Sequence, residues 1–243
     1  MLHGFTYNGQ HSSNFGLIMR SRNRALLPAA GDTFKEIPGR EGSYLFPGTF
    51  QDRFIQLDCW LREASLIALK AKARQIAAWL RTADWAPLTF DDEPDKYYRA
   101  KIADQVDLTQ IAGLGRFAVS FRCLPLAYGT EVTEIFVNDL AVVNNLGTCE
   151  ALPVFTVTFM AAAGEWTVTL GTKYIRVIHD FEAGDTLEVN CDTGAVLING
   201  FRALNKLDWQ NSQFFSLSPG ESIIDLLPTG KCVASVMFTP RWL

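Results

Sequence analysis

The sequence predicts a mainly β protein in two domains. The first, residues 1–145, is α+β with one long helix, and the second, residues 146–243, is an all-β sandwich. Three observations carry this. Short period-two apolar runs divided by Gly, Asn and Asp turns recur along the chain. One stretch alone, 63–82, has a long helical period, and no convincing helix follows residue 146. Seventeen Phe and six Trp among 243 residues suit strands, which draw on aromatic side chains.

The opening "GFTYNGQHSSNFGLIMRS" joins two strand-like pieces, with "SSNFG" as the loop and Phe15 and Leu17 returning to an apolar face. Residues 20–35 are rich in Arg and Lys, and their Pro-Ala-Ala-Gly-Asp centre reads as an exposed hairpin tip. "EIPGREG" follows at 36–42. Pro38 presets one φ angle, and Gly39 and Gly42 allow angles that other residues avoid, so Arg40 and Glu41 are displayed at a fixed place.

"FQDRFIQLDCWL" alternates as a strand with one buried face, and a slip near Arg53–Phe54 reads as a bulge. In "EASLIALKAKARQIAAWLRT" the residues Leu66, Leu69, Ala73, Ile76, Ala77 and Leu80 form one stripe, with Glu63 near the positive end of the helix dipole. Pro87 bars the helix from continuing. "DDEPDK" is then a turn, and "GLGRFAVSFRCLPLA" a strand with Phe117, Val119, Phe121 and Cys123 on one face.

A boundary falls around "LAVVNNLGTCEALP", where the composition shifts. Beyond it "VFTVTFM", "EWTVTLG", "KYIRVIHDF", "DTLEVNC", "AVLING", "FFSLSPG" and "CVASVMFTPRWL" read as the strands of a sandwich or jelly roll.

Composition excludes several functions. The net charge of −4 argues against specific nucleic-acid binding, which needs clustered Lys and Arg. No apolar run reaches the ~20 residues of a membrane span, and no secretory signal opens the chain, so folding in a cytoplasm is expected. The five cysteines (Cys59, Cys123, Cys149, Cys191, Cys232) form no CxxC pair and suggest no metal site. Of the three histidines, His3 and His11 lie near the terminus. His179 neighbours Asp180, but GxSxG is absent, so no catalytic residue and no cofactor are assigned. "GLGRF" lacks the spacing and the following helix of a phosphate loop, and "DDEPD" lacks that of an EF-hand. A sugar site in the second half is the competing reading, with Trp166, Trp209 and Trp242 as stacking rings and Asn190, Asn199, Asn205 and Asp208 as hydrogen-bonding partners.

In order along the chain, "FTYNGQHSSNFGL", "EIPGREG", the helix end "AAWLRT", "PLTFDDEPDKYYRAKI", "FEAGDTLEVNCDTGAVLING", "FFSLSPGESII" and "VASVMFTPRWL" resemble the distal tail (Dit) proteins of long-tailed bacteriophages. The resemblance implies a virion structural protein at the distal end of a siphophage tail, made in the host cytoplasm. It implies a galectin-like second domain and a homo-hexameric ring built by the first domains. Such a ring joins the major tail protein of the tube to the tail-associated lysin or hub, often carries receptor-binding proteins, and lets DNA pass through. In a ring every joint repeats one heterologous contact, so residues 20–48 are expected to form an arm that grips the next subunit, with Pro38, Gly39, Arg40, Glu41 and Gly42 at the joint. The mildly acidic chain suits a channel that must not hold DNA tightly.

Overall fold

The computed structural model describes residues 4–104, 106, 108–111 and 114–243. His3 and Gly113 of the sequence reading lie outside them. The chain divides into two compact units, one ending at Tyr128 and the other spanning Gly129–Trp242. The fold is mainly β, with one α-helix among the described residues.

The first unit contains β1 (Phe5–Tyr7), β2 (Gln10–His11), β3 (Leu17–Arg24), β4 (Thr33–Glu36), β5 (Ser43–Phe46), β6 (Arg53–Arg62), α1 (Leu66–Leu80), β7 (Ala86–Phe90), β8 (Glu93–Ile102), β9 (Thr109–Ile111) and β10 (Leu114–Tyr128). One antiparallel sheet runs β2-β1-β7-β8-β10-β6-β3, with β9 also paired to β10. Along β6 the odd residues Ile55, Leu57, Cys59 and Leu61 are fully buried, while Phe54 faces out. The expected slip at Arg53–Phe54 is therefore absent, because Phe54 simply keeps the period on the solvent side. The irregularity lies on the neighbouring strand, between Met19 and Ser21 of β3.

The helix caps on Ser65, whose Oγ accepts from the Ala68 amide at 3.2 Å. Its buried residues are Leu69, Ile76, Trp79 and Leu80, whereas Leu66 and Ala77 from the expected stripe stay exposed. Trp79 is the main anchor of α1. Its ring stacks on Phe15 at 4.4 Å and on Phe5 at 5.7 Å, and Nε1 donates to the Tyr7 carbonyl at 2.9 Å. The "SSNF" loop is a short 3-10 helix, Ser12–Phe15, stopped by Gly16 at φ 69°.

The second unit contains β11 (Val132–Ile135), β12 (Leu140–Asn145), β13 (Val154–Phe159), β14 (Ala163–Leu170), β15 (Lys173–Phe181), β16 (Thr186–Asn190), β17 (Ala195–Ile198), β18 (Phe201–Arg202), β19 (Gly220–Leu227) and β20 (Cys232–Phe238). Its two sheets run β11-β20-β13-β16-β17-β18 and β12-β19-β14-β15. Between them lie Phe155, Val157 and Phe159 from one sheet and Trp166, Val168 and Ile224 from the other, all fully buried. "FFSLSPG" is not a strand; the strand begins at Gly220.

Residues 129–145, read in the sequence as the end of the first domain, supply β11 and β12 to the second unit. The reason is chemical. Asn145 is buried, donates to the carbonyls of Cys149 and Leu217 at 3.0 Å, and accepts from the Gly147 amide. A polar, glycine-bearing stretch that looks like a linker is thus a fully bonded corner.

The cysteines are free thiols. Burial pushes Cys59, Cys123 and Cys191 up to about 12, and Cys232 up to about 11. Since the thiolate is the nucleophile, iodoacetamide at pH 8 is expected to modify Cys149 first and to spare Cys59, Cys123 and Cys191 in the folded protein. Peptide mass spectrometry reads the order, and rapid labelling of Cys59 would contradict the packing.

Candidate subunit interface

Strands β4 and β5 pair only with each other, apart from the main sheet. Every residue of both strands is exposed. Cross-strand neighbours share a face, so Phe34 and Leu45 lie together with Glu36 and Ser43, and Phe46 and Tyr44 share the opposite face with Thr33 and Lys35. Phe34 is 65% exposed, and Leu45 and Phe46 are each more than half exposed. Among the described residues nothing covers either apolar face of this ribbon, and exposed apolar patches of this kind mark contact sites.

"EIPGREG" forms the tip of this hairpin. The Arg40 amide donates to the Ile37 carbonyl at 3.2 Å, and Gly39 has φ 85°. Pro38 at the second position and a left-handed Gly39 at the third make a type II turn. Gly42, at φ 79°, returns the chain into β5. Arg40 lies over the Tyr44 ring at 4.0 Å. Among the described residues, Lys35, Glu36, Arg40 and Glu41 have no ion pair in this chain. The Pro-Ala-Ala-Gly-Asp stretch, expected at a hairpin tip, sits instead at the ribbon's root. There the Gly31 amide donates to the Thr49 carbonyl, the Gln51 amide to the Ala29 carbonyl, and Asp32 Oδ1 accepts from Gly48. A Cβ on Gly48 would run into the Gly31 backbone, so the neck closes only with glycine there.

Of the sugar-site residues, Trp166 is lost to the core and three of the polar partners are bonded within the chain. Trp166 has no exposure and its ring packs at 6.1 Å from Phe155, so no sugar ring can reach it. This corrects the stacking role expected for it: alternation in "EWTVTL" places it on the inner face. Trp209 is well exposed. Asn190 caps the turn to Thr193, Asn199 bonds the Thr186 amide and Asp185, and Asp208 binds Arg176 and Asn211. Arg176 and Asn211 hold the Asp208 carboxyl below the usual range.

His179 stands edge-on to Phe181 at 5.0 Å. His11 has a role the sequence did not reveal: Nε2 lies 3.1 Å from Asp91, and Nδ1 lies 2.6 Å from Ser13 Oγ. Ser, His and Asp are thus in a row, but Nδ1 also accepts the Ser13 amide at 3.2 Å and so caps the 3-10 helix. Among the described residues, no group of three His, Cys, Asp or Glu could hold a metal ion, and no helix is long and apolar enough to cross a membrane.

Charge is unevenly divided. Residues 1–128 hold 16 Lys and Arg against 13 Asp and Glu, a net +3, and residues 129–243 hold 6 against 13, a net −7. In the first unit, Arg20 and Arg116 both lie over Trp60, at 4.6 and 5.9 Å, and Arg116 pairs with Asp58 at 3.1 Å. The overall −4 conceals this asymmetry.

Comparison with known proteins gives one consistent result. Residues 10–123 match the phage tail protein RIFT-related domain, and residues 146–242 match the siphovirus-type tail component, C-terminal domain. The distal tail protein of Bacillus phage SPP1 is 24% identical over 201 residues, covering 80% of this chain and 79% of that protein. The crystal structure of SPP1 Dit, described as a paradigm of the hub adsorption apparatus in phages infecting Gram-positive hosts, superposes with a TM-score of 0.87 at 19% identity over all of both chains. A chain of the phage P2 baseplate in its activated conformation gives 0.51 at 9% identity, covering 98% of each.

Proposed function

The chain belongs to the distal tail protein family of long-tailed phages, and from that premise we propose that it closes into a hexameric ring at the tail tip, each copy gripping the next with its β4–β5 arm. The ring is a structural hub of the virion without catalytic activity. The first units form its body and surround the path of the DNA. One face docks on the last ring of the major tail protein, and the other receives the tail-associated lysin and, through it or the second units, the receptor-binding proteins.

One observation carries the reading: a two-stranded ribbon with Phe34, Tyr44, Leu45 and Phe46 exposed and nothing among the described residues to cover them. A ring supplies that cover six times by one repeated contact. Pro38, Gly39 and Gly42 fix the tip, and Arg40 and Glu41 are its charged contacts.

Light scattering after size exclusion, over a range of concentrations, tests the ring. A hexamer, or a reversible approach to one, is expected. A strict monomer up to the highest soluble concentration overturns self-assembly through the arm. Arg40→Ala is expected to raise the assembly midpoint about tenfold, as loss of an interface arginine typically does; a midpoint equal to wild type removes Arg40 from the joint.

A further inference from the structure

The arm needs a receiving site, and a groove of the first unit suits it. Helix α1 carries Ala73 and Ala77 one turn apart, and neither fills the space above the sheet. Among the described residues this leaves an open cavity of about 460 Å³, with Ile76 and Leu80 on the helix side, Leu61 and Phe117 on the sheet side, and Val106 and Leu108 also lining it. Arg81, Lys101 and Asp104 stand at its edge. Among the described residues neither Arg81 nor Asp104 has an ion pair, and the Lys101 ammonium donates only to the Ala83 carbonyl, at 2.9 Å.

We propose that this groove receives the Phe34–Leu45 face of the β4–β5 arm from a second copy of the chain. Register decides which face enters. Phe34 is paired with Leu45 and Glu36 with Ser43, so one side of the ribbon presents an apolar pair followed by a carboxylate. The groove presents an apolar floor edged by Arg81, Lys101 and Asp104, a rim of net positive charge that suits Glu36. The opposite side of the ribbon places Lys35 beside Tyr44, and its one cation finds only Asp104 among two like charges. Among the described residues of its own chain, Phe34 and Leu45 stay in solvent and the groove stays open, so each copy has one unfilled donor and one unfilled acceptor. That is the requirement for a head-to-tail contact.

The inference rests on the arm reading above, and the experiment separates the two. Ala77→Trp fills the groove and leaves the arm intact. Phe34→Ser with Leu45→Ser disables the arm and leaves the groove intact. Melting temperature and circular dichroism of each verify folding. Each variant alone is expected to raise the assembly midpoint on the order of a hundredfold, the loss typical of a blocked central contact. An equimolar mixture is expected to give a dimer and no larger species, because one intact arm meets one intact groove and the chain of contacts stops there. If Ala77→Trp assembles as wild type while the arm variant does not, the arm docks elsewhere and the groove assignment is overturned. If both assemble as wild type, the arm reading itself fails. Should Ala77→Trp not fold, Arg81→Glu replaces it. Arg81→Glu alone is expected to raise the midpoint about tenfold and Glu36→Arg to restore it; absence of rescue overturns the pairing. Binding of a small apolar probe such as an anilinonaphthalene dye that persists unchanged in the assembled protein also overturns it, since the groove is then not occupied by the arm.

Discussion

A chain in which Asp32–Pro47 is replaced by two glycines is expected to fold like wild type and to remain monomeric. The stability half of this result follows from the ribbon's isolation. Strands β4 and β5 pair only with each other and bury no residue, so their removal takes nothing from the sheet or from the packing of Trp79. The principal internal loss is the bond from the Gly48 amide to Asp32 at 2.9 Å, worth about 1 kcal/mol at an exposed site. The assembly half follows from what goes with the ribbon. Burying Phe34 and Leu45 in a neighbour contributes on the order of 1–2 kcal/mol each, and every 1.4 kcal/mol is about tenfold in association. The assembly midpoint is therefore expected to move by about two orders of magnitude. Denaturation in urea together with light scattering reads both halves. A ring that still forms would remove the arm from the joint.

Trp166→Ala is expected to cost about 3–5 kcal/mol, as truncation of a fully buried Trp does. Trp166 has no exposure, packs on Phe155, and sits between the two sheets of the second unit. Denaturation should then show the second unit unfolding earlier while the transition of the first unit stays in place. Trp166→Phe behaves differently. The Trp166 Nε1 donor is buried with no partner among the described residues, and an unmet buried donor itself costs about 1–3 kcal/mol. Its removal offsets much of the lost ring volume, so a change under about 1.5 kcal/mol is expected. A Phe variant as damaging as the Ala variant would show that the indole N–H has a partner. The same burial means that added saccharide should leave the Trp166 fluorescence unchanged.

Much of the architecture was legible because it rests on periodicity. The alternation from Arg53 to Arg62, the helical period after Ser65 and the short runs after Val154 each encode one buried face, and each folds as that face requires. Three things were hidden. Strands β11 and β12 lie in a stretch whose Asn and Gly residues look like a linker, and only the contacts of Asn145 show why they are structured. The root and tip of the arm were exchanged because Pro28–Asp32 and Pro38–Gly42 both carry turn residues; the alternation Thr33–Glu36 and Ser43–Phe46 on either side of Pro38–Gly42 was the deciding signal. The groove depends on two alanines, and the absence of side-chain volume leaves no mark on a hydrophobic pattern.

The glycine neck has a genetic consequence. A ribbon closed off from its body by the Gly31–Thr49 and Ala29–Gln51 backbone bonds can change in sequence or length without altering a core contact among the described residues. Affinity for the neighbouring copy is thereby separated from the ability to fold, and the two can be selected independently. On the proposed joint, when two related phages infect one cell and make two such proteins together, a few substitutions in the ribbon and its acceptor would sort like with like and keep hybrid particles from forming.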